Sequence, residues 1–88
     1  MTTPLIRYKK VQFKHRELIL DQKFLDALNE KHLSISTRAN PNHHPEVYKG
    51  SKYVGKLYNV LGQYYGKEFV GFRSENINDF RMRNIVLQ

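Results

Sequence analysis

The chain is 88 residues long, enough for one small domain (1–88) that buries roughly 60–65% of the surface its unfolded form exposes. It has no cysteine, which excludes a disulfide framework and a thiolate metal site and fits a reducing, cytoplasmic setting. Fifteen Lys and Arg against eight Asp and Glu give a net charge of +7, which points to a polyanionic partner: nucleic acid first, with duplex DNA favoured, and an acidic protein surface second.

Residues 1–4 read as a frayed end. Leu5 to Phe13 alternates, with Ile6 and Tyr8 on one face and Val11 and Phe13 continuing the apolar pattern after Lys9-Lys10, so one strand is predicted there. Lys14-His15-Arg16 is a polar turn, and Glu17 to Leu20 completes a hairpin. Asp21 suits a helix N-cap, because its carboxylate can accept from the orphan N–H groups of the first turn. Gln22 to Lys31 is then a helix with Phe24, Leu25 and Leu28 as its apolar stripe. Leu33 to Ser36 returns to period-two alternation and predicts a third strand.

Residues 37–46 form the clearest exposed loop, with Pro41, Pro45, Asn40 and Asn42 opposing regular structure. Val47 to Val54 reads as a hairpin turning at Gly50-Ser51. Lys56 to Tyr65 is a second helix, with Leu57, Val60, Leu61 and Tyr64 at buried spacing. Gly62 within it costs about 1 kcal/mol relative to Ala, and Gly66 is placed to end it in the left-handed conformation. An apolar run, Phe69 to Phe72, then enters a polar loop holding Asn76, Asn78 and Asp79; a basic turn from Arg81 to Arg83 leads into a last apolar run, Ile85 to Leu87. The fold class expected is α+β: a small antiparallel sheet, two short helices and a C-terminal hairpin. No apolar run approaches the ~18 residues of a membrane span, the N-terminus lacks a secretory h-region, and no helix segregates a basic face from a bulky apolar one. No membrane partner is expected.

Catalytic chemistry finds little support. His43-His44 are adjacent in a loop, and two vicinal side chains rarely chelate one ion without further ligands. They read as solvated histidines. Ser34, Ser36, Ser51 and Ser74 occur in no nucleophile-elbow context, and no carboxylate pair forms an acid–base dyad. No metal, cofactor or catalytic residue is assigned. The basic–aromatic interleaving is more informative. From Tyr48 to Arg83 run Tyr48, Lys49, Lys52, Tyr53, Lys56, Tyr58, Tyr64, Tyr65, Lys67, Arg73, Arg81 and Arg83. Lys and Arg neutralise phosphates, and Tyr bonds to phosphate or stacks on an unpaired base. Lys52, Lys56, Lys67, Arg73, Arg81 and Arg83 are the candidate phosphate contacts, whereas Tyr53 and Tyr64 fit a core role and a contact role equally.

Over residues 11–88 the order of these elements resembles the HNH homing-endonuclease family whose members often carry an AP2-type DNA-binding module. Leu18-Ile19-Leu20-Asp21 with Phe24-Leu25 resembles its acid-capped helix, and Gly66-Lys67-Glu68-Phe69-Val70 the entry to its metal-site strand. Asn76, Asp79-Phe80-Arg81 and Asn84-Ile85 resemble its loop, its Asp-Asn-Arg triplet and its Asn-Leu pair. The resemblance implies a truncated ββα-metal-like unit in which Asn84 pins the loop between two strands. It also implies lost chemistry. Gly71 stands where the family has a metal-binding Asp, and Phe72 where it has the His that activates water. Lys56-Leu57-Tyr58 falls where an earlier His-Arg belongs, Phe80 replaces the middle Asn of the triplet, and the family's closing helix would lie past Gln88. A second copy covering the face such a helix leaves open makes a homodimer a further expectation. The function expected is a non-catalytic nucleic-acid-binding protein of phage or mobile-element type. The alternative is a small basic inhibitor or adaptor that grips an acidic site on a host protein.

Overall fold

Leu18 and Leu20, two residues apart and both fully buried, define the inner face of the first hairpin and belong to the core cluster. The structure is a computed structural model that describes residues 7–88. In chain order its elements are β1 (Tyr8–Gln12), β2 (Glu17–Asp21), α1 (Gln22–Glu30), β3 (Leu33–Ser36), β4 (Glu46–Lys49), β5 (Lys52–Lys56), α2 (Leu57–Tyr64), β6 (Phe69–Phe72) and β7 (Ile85–Leu87), with a 3₁₀ turn at Met82–Asn84 before β7. The class is α+β. The expected frayed end, with Leu5 and Ile6, lies outside the described residues.

The strands do not join into one sheet. They form three small antiparallel ones: β1–β2, β3–β4–β5 and β6–β7. Tight turns close β1–β2 and β4–β5, longer loops (37–45 and 73–84) join β3 to β4 and β6 to β7, and the helices between the sheets interrupt further pairing. One long-range stitch remains. The loop after β6 runs beside β2 in parallel, with the Ile19 N–H donating to Asn78 O at 2.9 Å and the Phe80 N–H donating to Ile19 O at 2.8 Å.

The core gathers side chains from most elements: Leu18 and Leu20, Phe24 and Leu28, Val47, Leu57 and Leu61, Phe80 and Ile85. Each such side chain contributes about 1.5–3 kcal/mol when fully buried. Phe80 is 0% exposed and meets Phe72 edge-to-face at 5.3 Å. The residue at the middle of the Asp79-Phe80-Arg81 triplet is therefore a core anchor.

Asp21 is a correction. It occupies the N-cap position with extended backbone, yet its side chain makes no cap hydrogen bond. Its carboxylate instead accepts from the Met82 N–H at 2.9 Å, because the incoming loop lays that donor across the end of β2. The second helix begins at Leu57, since Lys56 is still in β5, and the Leu57 N–H donates to Pro45 O. Gly66 does end the helix with φ +66°. Gly62 has a packing reason: a Cβ there would lie 2.7 Å from the Lys67 carbonyl oxygen.

The loop before β4 is irregular, as expected, but its end is not exposed. Pro45 and Glu46 are buried, and His43 and His44 are half-buried rather than solvated. Arg16 is the cause. Its guanidinium, 7% exposed, donates to His43 O at 2.8 Å and Asn40 O at 2.9 Å and draws the loop onto the first hairpin.

Candidate nucleic-acid interface

The six predicted cations separate into distinct places. Arg73, Arg81 and Arg83 collect at the loop end of the β6–β7 hairpin, where the Arg73 N–H donates to Asn84 O. Lys67 lies at the other end, next to the Glu68–Gln88 rung that closes the hairpin. Lys52 and Lys56 mark the two ends of β5.

At the loop end, buried polar groups hold the backbone. The Asn84 Nδ2 donates to Asn76 O at 3.1 Å and to Asp79 O at 3.0 Å. Arg81 donates through Nε and Nη2 to the two oxygens of Asp79 at 2.9 and 2.8 Å, and its guanidinium lies 4.6 Å from the Tyr8 ring centroid. Burial pushes the Asp79 carboxyl up, but the side-chain and backbone hydrogen bonds from Arg81, with the charges of Arg81 and Arg83, outweigh it and hold the group below the usual range. Arg81 is thus committed to Asp79, with the planar fork of a bidentate pair. Arg73 and Arg83 stay exposed at the rim. The Phe72 ring packs edge-on against both Phe69 at 5.2 Å and Phe80 at 5.3 Å, so hydrocarbon fills that position.

The three-stranded sheet is different. The register aligns Ile35 with Val47 and Val47 with Gly55, and Val47 is fully buried, so this rung faces the helices. Alternation then puts the flanking rungs on the opposite face. One rung is Ser34, Tyr48 and Tyr53; the other is Ser36, Glu46 and Lys56. Val54 is the extra residue at the bulge between these rungs. Glu46 sits between Arg38 at 3.3 Å and Lys56 at 3.5 Å. Burial raises its pKa, but the charges of Lys56 and Arg38 prevail and lower it overall. Lys56 is therefore partly neutralised. At the hairpin tip, Lys49 and Lys52 face each other in register across Gly50-Ser51, both exposed, with no ion pair among the described residues. Beside them Tyr48 and Tyr53 meet edge-to-face at 5.5 Å, and Tyr53 is 48% exposed.

A second basic strip escapes the predicted set. Arg7, Lys9, Lys10 and Lys14 are exposed on and around β1, whose outer edge pairs with no strand among the described residues. Its signal is a charge run: residues 7–16 hold five cations and no acid. The histidines diverge. The His43 ring nitrogen Nδ1 lies 3.0 Å from His44 O, while the His44 ring meets Tyr58 edge-to-face at 5.2 Å with its Nδ1 buried and unpartnered among the described residues. Burial, then the charges of Lys56, Arg16 and His43, lower the His44 pKa and so favour its neutral form. An open cleft of about 660 Å³ takes in Lys67 with Val54, Asn59, Gln63 and Phe69, but Glu68 offsets that single cation.

No protein-family model, curated protein or solved structure matches the chain. No helix among the described residues is long and apolar enough to cross a membrane.

Proposed function

We propose that this protein binds nucleic acid through its basic surface and does not cleave it. One observation carries the reading. Between Glu46 and Glu68 the chain holds four lysines and no acid, and the fold gathers Lys49 and Lys52 at an exposed hairpin tip beside two tyrosines. Phosphate neutralisation needs such unpaired cations, and aromatic rings add contacts to sugar or base. The resemblance to HNH homing endonucleases supports the same class of partner. Gly71 offers no metal ligand and Phe72 no base, so the reading is of a nuclease-like scaffold that retains binding alone. A chain without cysteine suits a reducing cytoplasm, where we place it.

Fluorescence anisotropy with labelled oligonucleotides tests this. Four phosphate contacts give a log–log salt slope of roughly −3 to −4, hence a loss of about two orders of magnitude in affinity between 50 and 200 mM salt. A flat salt response, or no binding at the lower salt, overturns the proposal. A stoichiometric protein recovered from nuclease-treated lysate, with no affinity for nucleic acid, would make an acidic protein surface the partner instead.

A further inference from the structure

We infer that the open outer face of the β3–β4–β5 sheet is a base-stacking site for single-stranded nucleic acid, with Tyr53 as the platform and Lys49 and Lys52 holding the backbone. This site deepens the nucleic-acid function proposed above, on which it rests, by narrowing the partner from the duplex favoured on charge alone to unpaired bases.

The face is open along Ser34 and Tyr53, and only its Glu46 end is covered, by Arg38 and Lys56. Ser34 and Ser36 are exposed and small, whereas Phe24, Leu28, Leu57 and Leu61 of both helices cluster with Val47 on the inner side. With strands ~4.8 Å apart, three of them offer a floor about 10 Å across, wide enough for a strand of bases. Tyr53 does not belong to the buried core, and nearly half of it remains in water. It is nevertheless held in place: Tyr48 stands against it at an interplanar angle of 69°, and the two share one rung of the ladder. A ring fixed by a neighbour and open to solvent loses little freedom when a base stacks on it. Every base has a π-face, so such stacking tolerates sequence. In a duplex the bases already cover one another, and the ring would add little.

The charges complete the arrangement. The Lys49–Lys52 rung follows the tyrosine rung and alternation roots it on the other face, but it is the last rung before the turn and both lysines are exposed, so their charges sit at the end of the platform. Gly50, with φ +63°, makes the tight turn that brings the two lysines opposite each other. At the other end of the face, Glu46 engages Lys56 and Arg38, which leaves the hairpin tip as the anion-attracting end. A cross-strand tyrosine pair also steadies a hairpin, and the variants below separate that role from stacking.

The test compares binding of the full chain to a labelled oligothymidylate of about twelve nucleotides, within the usual span of single-strand sites, and to a duplex of equal length. Wild type is expected to prefer the single strand. Tyr53→Leu, which keeps bulk but removes the π-face, should weaken single-strand binding roughly 5- to 150-fold with the salt slope unchanged. Tyr53→Phe should bind as wild type does. Lys52→Ala should weaken both ligands and reduce the slope by about 0.7–0.9. Equal affinity for single strand and duplex, or single-strand binding indifferent to Tyr53→Leu, overturns the stacking site while leaving nucleic-acid binding intact. No binding of either ligand sinks the nucleic-acid reading itself. Should Tyr53→Leu fail to fold in a thermal melt, the wild-type preference between the two ligands decides.

Discussion

Replacing Asn84 by Ala should loosen the C-terminal loop and, through it, the first hairpin. Asn84 is 7% exposed and donates two hydrogen bonds, to Asn76 O at 3.1 Å and Asp79 O at 3.0 Å. Losing the bond to Asn76 O, which still accepts from the Asp79 N–H, costs about 1 kcal/mol, and leaving the buried Asp79 carbonyl unpaired costs about 1–3 kcal/mol. The sum is about 2–4 kcal/mol, a large share of the stability of a domain this size. At roughly 5 °C per kcal/mol, the unfolding midpoint should fall by 10–20 °C. Asn84→Asp keeps the shape but supplies no N–H donor, so it should be at least as damaging. Circular dichroism gives the midpoint. Hydrogen exchange locates the damage, because the Ile19 and Phe80 amides depend on the loop staying beside β2. A midpoint shift under ~2 °C, below what half a kcal/mol produces, would show that the loop holds without Asn84.

Acid should destabilise the protein through two groups. The His44 pKa is lowered from 6.5, chiefly by burial, so its neutral form stabilises the fold above that value and the contribution is lost as pH falls below it. His44→Phe should flatten the fall of the unfolding midpoint as pH drops below 6.5. Asp79 is held below its ordinary 3.8 by Arg81 against the opposing effect of burial, so its contribution is present above that value and lost on further acidification. Asp79→Asn should be less stable at neutral pH and show a shallower loss below about pH 4 in the same melts. Gly62→Ala sets two effects against each other: better helix propensity by about 1 kcal/mol and a Cβ 2.7 Å from the Lys67 carbonyl oxygen. Overpacking of this kind costs about 1–3 kcal/mol, so urea titration should find the variant less stable, and a more stable one would mean the α2–β6 turn yields freely. Arg16→Lys cannot serve two carbonyls with the same fork; it should lose about 1–3 kcal/mol and cleave faster under limited proteolysis within residues 37–45.

Much of the fold is legible because it is local. Strand alternation, the apolar stripes at Phe24 and Leu28 and at Leu57 and Leu61, the turn at Gly50-Ser51 and the left-handed Gly66 each depend on a few neighbouring residues. Polar destinations are harder to read. Asp21 precedes a helix and reads as its cap, yet its partner is the Met82 N–H, 61 residues away. Arg16 reads as a turn residue because nothing in Lys14-His15-Arg16 shows that a loop 24 residues on will supply two carbonyls. Arg81 reads as a phosphate contact, and only the geometry of the turn commits it to Asp79, two residues before it. The basic strip on β1 is visible as a charge run, but weighting cations by nearby tyrosines favours the C-terminal half.

These polar destinations follow from size. Nine buried apolar side chains must serve the described chain, and that core cannot also fasten two long loops by apolar burial. The loops are fastened by buried polar groups: Arg16 holds residues 40 and 43, Asp21 holds Met82, and Asn84 holds residues 76 and 79. A group used in this way is unavailable to a ligand, since freeing it would release the loop and leave a buried donor or acceptor unpaired. The segment from Gly66 to Gln88, where the sequence concentrates its Asn and Arg residues, is therefore chiefly a clamp. Lys67 beside Glu68, and Arg73 and Arg83 at the loop rim, remain for an anion. The exposed Lys9, Lys10, Lys49 and Lys52 lie on β1–β2 and β4–β5, hairpins closed by tight turns, and hold no loop in place. For the binding proposed above, the β4–β5 tip, with Lys49, Lys52 and the exposed face of Tyr53, is therefore the place where substitution should disturb the loops least.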